Sequence, residues 1–239
     1  MVLKEQEQDI TDYLILHQLP LDILLEVKDH MLSQVADIQA EENKSFDEAF
    51  HTTQKLWESE FRMTRYSPFY TEEIPVIVKN IVKARNNHLL KKSVLLGLIS
   101  LAISFVFIYL ARDVNHYTDL FRMQNGLFIV VPIVIWTFNY KMLKYIRHDH
   151  QYKGKLFYTM YQQNAALTLS VIGLMAQVIV KDGRYPYLFF REHDHSEIGY
   201  MLLTLILPYA VQVMIFFVML NFFGHKKAVA RVERFLNAG

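Results

Sequence analysis

The sequence predicts an all-α protein, a four-helix transmembrane bundle preceded by a cytoplasmic three-helix domain. Three observations carry that reading. Charge is divided: residues 1–75 hold sixteen Asp/Glu against six Lys/Arg (−10), and residues 76–239 hold nineteen Lys/Arg against eight Asp/Glu (+11). The net charge of +1 conceals this asymmetry. Four stretches free of Asp, Glu, Lys and Arg are long enough to cross a bilayer, which takes about 20 mostly apolar residues. The acidic part, by contrast, repeats its apolar residues at helical spacing.

Within the acidic part, assigned to residues 1–61, a first helix is expected from about Lys4 to Gln18, with Ile10, Tyr13 and Leu14 on one side. Pro20 suits the first turn of a second helix, and Asp22 complements its dipole. Leu24, Val27, Met31, Val35 and Ile38 then recur at spacings of three and four, and Glu41-Glu42-Asn43-Lys44 ends the helix. Ser45 with Glu48 forms a capping box, so a third helix starts at Phe46, with Phe46, Ala49, Phe50, Thr53, Leu56, Trp57 and Phe61 as its stripe. Three short helices make a marginal core unless docked on something else. Residues 62–92 are expected to be a linker, broken at Ser67-Pro68 and Ile74-Pro75, followed by a basic amphipathic helix from Val76, lying along the surface or continuous with the first span.

The transmembrane part, residues 93–239, holds spans at about 93–111, 124–140, 163–181 and 199–223 and ends in a basic tail. Helices are required there because unpaired backbone amides in hydrocarbon each cost several kcal/mol. Lys and Arg number five before span one, five between spans two and three, and four in the tail, against two and three in the other loops. Both termini are therefore expected in the cytoplasm of a bacterial inner-membrane protein. The first thirty residues lack a basic start and short apolar run, so no leader is expected. Pro132 and Pro208 are expected to kink spans two and four.

Asp12-Tyr13-Leu14, Leu19-Pro20, Glu26-Val27-Lys28-Asp29-His30 and Lys44-Ser45-Phe46-Asp47-Glu48-Ala49-Phe50 together resemble the bacterial HAAS-type, or permease-prefix, domain over residues 8–60. The sequence departs from that pattern in carrying Asn43 where Gly is usual and in lacking a closing Leu-Gly. The resemblance implies a regulatory or interaction module rather than a catalytic one.

Several function classes find no support. There is no cysteine, no Gly-rich phosphate loop and no serine in a nucleophile-elbow context. His148-Asp149-His150 and Glu192-His193-Asp194-His195 with Glu197 have the chemistry of metal ligands but no third or fourth ligand at recognisable spacing. No catalytic residue, metal site or cofactor is therefore assigned. The spans carry no charge, only Ser100, Ser104, Thr168, Ser170, Gln177, Thr204, Gln212 and Asn221. Gln177 and Gln212 stand out because an amide in hydrocarbon needs a partner, and they are expected to meet each other. The small-residue pairs Ser93/Gly97, Ser100/Ser104 and Ala166/Ser170 would let helices approach closely.

The expected function is that of a non-catalytic accessory or regulatory membrane protein. Its partners are lipids and a protein or larger membrane complex, without nucleic acid, and a homo-oligomer stays open. The acidic domain would engage a partner, or its own basic inner surface, through Glu26, Asp29 and His30. The alternatives are a small channel or transporter, and a metal-dependent membrane enzyme using His193 and His195.

Overall fold

A computed structural model describes residues 4–66, 73–142, 145, 165–180 and 183–236. The protein is all-α: eight α-helices and one two-stranded ribbon account for nearly all the described residues. These residues form two compact units, one of 4–86, 145 and 225–236, the other of 87–142, 165–180 and 183–224.

In the first unit, α1 (Lys4–Leu16) buries Ile10 and Leu14 completely. Helix α2 (Leu21–Glu42) starts one residue after Pro20, whose extended backbone (φ −54°, ψ 139°) puts it outside the first turn expected for it. The helix ends at Asn43 in the left-handed region (φ 51°, ψ 39°). Asparagine is one of the few residues besides glycine that adopt this conformation readily, so it can end the helix there. Helix α3 (Phe46–Phe61) has the complete capping box: Glu48 N–H donates to Ser45 Oγ (3.3 Å) and Ser45 N–H donates to Glu48 Oε2 (3.0 Å). The Ser45 backbone N–H, helped by its hydroxyl, holds the Glu48 carboxyl below the usual glutamate range. The box therefore contributes in full above the ordinary glutamate pKa and is lost as pH falls through the lowered one. Ser45→Ala is expected to cost about 1 kcal/mol, read as faster amide exchange in the first turn of α3.

Residues 62–75, expected as a linker, include an antiparallel ribbon instead. Strand β1 (Met63–Arg65) pairs with β2 (Glu73–Pro75) in the register Met63↔Pro75, Thr64↔Ile74, Arg65↔Glu73. The chain is thereby returned so that Val76 N–H donates to Arg62 O (3.0 Å), and α4 (Val76–Leu110) begins there.

This return gives the acidic helices a fourth wall. Their core, built on Ile10, Leu14, Ile23, Met31, Val35 and Ala49, also takes in Val78, and Ile77, Ile81 and Val82 pack against it. Phe46, Phe50 and Trp57 lie at its margin, partly buried, with Trp57 Nε1 donating to Gln34 Oε1 (2.8 Å). Leu56, expected in the α3 stripe, is 58% exposed. Four helical segments around one core bury more apolar surface than the three short helices would alone.

In the second unit, α4 runs on without a break, so the basic amphipathic helix and the first apolar stretch are one 35-residue helix. Helix α5 (Val114–Phe138) is N-capped by Asp113, whose Oδ1 accepts from His116 N–H (2.9 Å). It therefore starts ten residues before the expected span at 124. A 3-10 turn at Tyr140–Met142 follows. Helix α6 (Ala165–Val180) packs on α5, as does the short α7 (Tyr185–Arg191), whose Tyr187 ring stacks on Tyr117 (5.9 Å, 27°). Helix α8 (Ile198–Leu236) is the longest, and its last twelve residues belong to the first unit. Pro132 and Pro208 both lie inside uninterrupted helices.

Three of these helices, α4, α5 and α8, are long and apolar enough to cross a membrane. Helix α6 is apolar over Thr168–Ile179 but shorter in its described part. The remainder of the third expected span lies outside the described residues.

Candidate functional site

Two constellations unite functional side chains, one in each unit. In the first unit, α2 and the start of α4 face each other with opposite charge. Arg85 on α4 lies 3.9 Å from Asp22 Oδ2 and 3.6 Å from Glu26 Oε2. Asp22 is almost fully buried, whereas the Glu26 side chain keeps 41% of its exposure. Lys28, also buried, pairs with Glu7 of α1 (2.7 Å). Glu26 thus has a partner within the chain, while Asp29 and His30, just beyond it on α2, are exposed. The residues that sequence reasoning missed are Asp22, read only as a dipole complement, and Arg85, one of the five Lys and Arg counted before span one.

In the second unit, three helices are joined by uncharged polar groups in otherwise apolar surroundings. Gln124 of α5 donates through Nε2 to Ser100 O (2.9 Å) and Ser100 Oγ (3.0 Å) of α4, and Ser104 Oγ donates to Gln124 Oε1 (3.0 Å). The next residue, Asn125, points about 100° away around the helix. It donates to Phe121 O (2.8 Å) and accepts from Gln212 Nε2 of α8 (2.9 Å). Gln124, Asn125 and Gln212 are all buried. Successive residues of α5 therefore tie it to both neighbours. Amides and hydroxyls do not titrate near neutral pH, so the cluster can hold helices together but has no group to carry a proton.

Gln177 and Gln212 do not meet: Gln212 takes Asn125 instead, and Gln177 is exposed on α6. Gln124 and Asn125 escaped sequence reasoning because they lie only two and three residues beyond Arg122, at the edge of the charge-free stretch. Asn221 of α8 is buried with neither side-chain polar atom bonded among the described residues. The two buried amides should therefore respond oppositely to the same change. Gln212→Leu strips Asn125 of its donor and is expected to cost about 0.6 kcal/mol, the average for such bonds between membrane helices, and at most about 1.7 kcal/mol. Asn221→Leu removes an unsatisfied group and is expected to be neutral or stabilising by about 1 kcal/mol. Reversible unfolding of the full chain in mixed micelles reads both.

His193 and His195 are apart from these clusters. His195 packs edge-on to Phe189 (4.6 Å), and Asp194 Oδ1 accepts from Ser196 N–H (2.9 Å). The Ser196 side chain, together with that backbone bond, holds the Asp194 carboxyl below its usual range. Among the described residues, no group of three or more His, Cys, Asp or Glu is placed to hold a metal ion. His148-Asp149-His150 lies outside the described residues. Comparison of the chain with models of protein families, with curated proteins and with solved structures finds no match in any of the three.

Proposed function

We propose that the chain is a four-span bacterial inner-membrane protein with both termini in the cytoplasm, and that its acidic N-terminal module is a non-catalytic interaction element regulating or joining a membrane complex. One observation carries the reading. The first two turns of α4 complete the core of the acidic helices, and the same unbroken helix continues as an apolar candidate span. A helix shared in this way connects the acidic module to the candidate membrane segment directly along the chain. The four-span bundle with its separate three-helix module, and the HAAS-type character of residues 8–60, belong to this proposal. The charge division, the capping box and the Lys/Arg asymmetry support it.

The contact that makes such a module switchable is Arg85 with Glu26. At 3.6 Å and partly exposed, this pair contributes only about 0–1 kcal/mol. A partner offering its own cations to Glu26, Asp29 and the rest of the acidic surface displaces it at little cost. The test is purification of the tagged full chain from native membranes in mild detergent, with quantitative mass spectrometry of what is retained. The expected result is a near-stoichiometric protein held by the wild type, lost from Asp29→Lys and retained by Arg85→Lys, which keeps a cation beside the buried Asp22. A partner-free protein in all three preparations would overturn the reading.

A further inference from the structure

The apolar helices of the second unit enclose a feature that neither cluster uses. Helices α4, α5 and α8 surround an open groove of about 490 Å³, running from Leu96 to Phe107 on α4 and from Met123 to Ile135 on α5. Its walls are apolar except at Ser100 and Gln124, and those two bond to each other, so the floor asks nothing of an occupant. We propose that this groove is a binding site for one hydrocarbon chain of a membrane lipid, an inference that rests on these helices crossing the bilayer.

The dimensions select the occupant. Twelve residues of α4 and thirteen of α5, at a rise of about 1.5 Å per residue, make the groove roughly 17 Å long. The wall it exposes is well below the roughly 800 Å² per partner of a stable protein–protein interface, which argues against a second copy. Water gains nothing in a cavity lined by Ile, Leu, Val and Phe, and an empty one forfeits the dispersion contacts of its lining. A single hydrocarbon chain meets these conditions. It touches three helices at once here, whereas on a flat helix face it touches one.

The test reconstitutes the full chain in phosphatidylcholine vesicles containing a trace of lipid with a photoreactive diazirine at the chain end, and maps labelled residues by mass spectrometry. Ile99, Ile103, Leu127 and Val131 lie in the groove; Val106, Val130 and Ile133 are comparably exposed but outside it. The expected result is about tenfold more label per residue in the groove, equivalent to a preference of about 1.4 kcal/mol, abolished by Ile103→Trp. Equal labelling of both sets overturns the site while leaving the spans intact. Label outside the groove with Ile99 and Leu127 protected puts protein there and also overturns it. No label on either set removes both the site and the membrane reading beneath it.

Discussion

Val78→Asp is expected to release α1, α2 and α3 from α4 while leaving the apolar helices of the second unit intact. Val78 is 4% exposed and sits in the same core as Ile10, Leu14 and Met31. A carboxylate there has to be buried in apolar surroundings, against helices of residues 1–75 whose formal charge is already −10. An uncompensated buried charge costs about 3–5 kcal/mol, comparable to the whole stability of a small helical core. Hydrogen exchange on the full chain in detergent reads the result by segment. Amides of α1–α3 should lose protection by that amount, and those of α5 and α8 should not change. Undiminished protection in α1–α3 would mean that α4 is no part of their core.

Gly97→Ala is expected to disturb the other end of α4 for a different reason. A Cβ at Gly97 would overlap Val213 Cγ2 of α8 and come within 3.1 Å of the Tyr209 ring. Valine in a helix is confined to essentially one χ1 rotamer, so Val213 cannot swing aside and the helices must separate or strain. Such overpacking costs about 1–3 kcal/mol. The double variant with Val213→Ala removes the colliding methyl groups and should recover most of the loss. That coupling distinguishes a specific α4–α8 contact from a general intolerance of substitution. Additive losses in the double variant would contradict the contact.

Features decided within a few residues were legible in the sequence. Ser45 and Glu48 are three residues apart, and the hydrogen bonds they form need nothing beyond that spacing. Asn43 similarly ends α2 by its own conformational tolerance. What required a distant partner was not legible. Ile77, Val78, Ile81 and Val82 have the spacing of any amphipathic helix, and nothing in that spacing says that the apolar face meets α1 and α2 rather than lipid. The ribbon that aims them there pairs two three-residue strands too short to leave a pattern. The polar cluster was half visible: Gln212 was singled out, but its partner was sought inside another charge-free stretch. Asn125 stands near the edge of its own stretch and entered no inventory. Because Asp113 caps α5 so early, Gln124 and Asn125 lie three turns inside the helix.

The most direct measurement of the membrane account uses the absence of native cysteine. Single cysteines at Asp29, Asp119, Asp194 and Arg231, all exposed positions, are treated with a membrane-impermeant thiol reagent in sealed right-side-out vesicles. Four crossings with an acidic cytoplasmic module require label on Asp119→Cys and Asp194→Cys, with Asp29→Cys and Arg231→Cys reacting only after permeabilisation. If α6 does not cross, Asp194→Cys is protected and Arg231→Cys is labelled from outside, and that pattern would contradict the account.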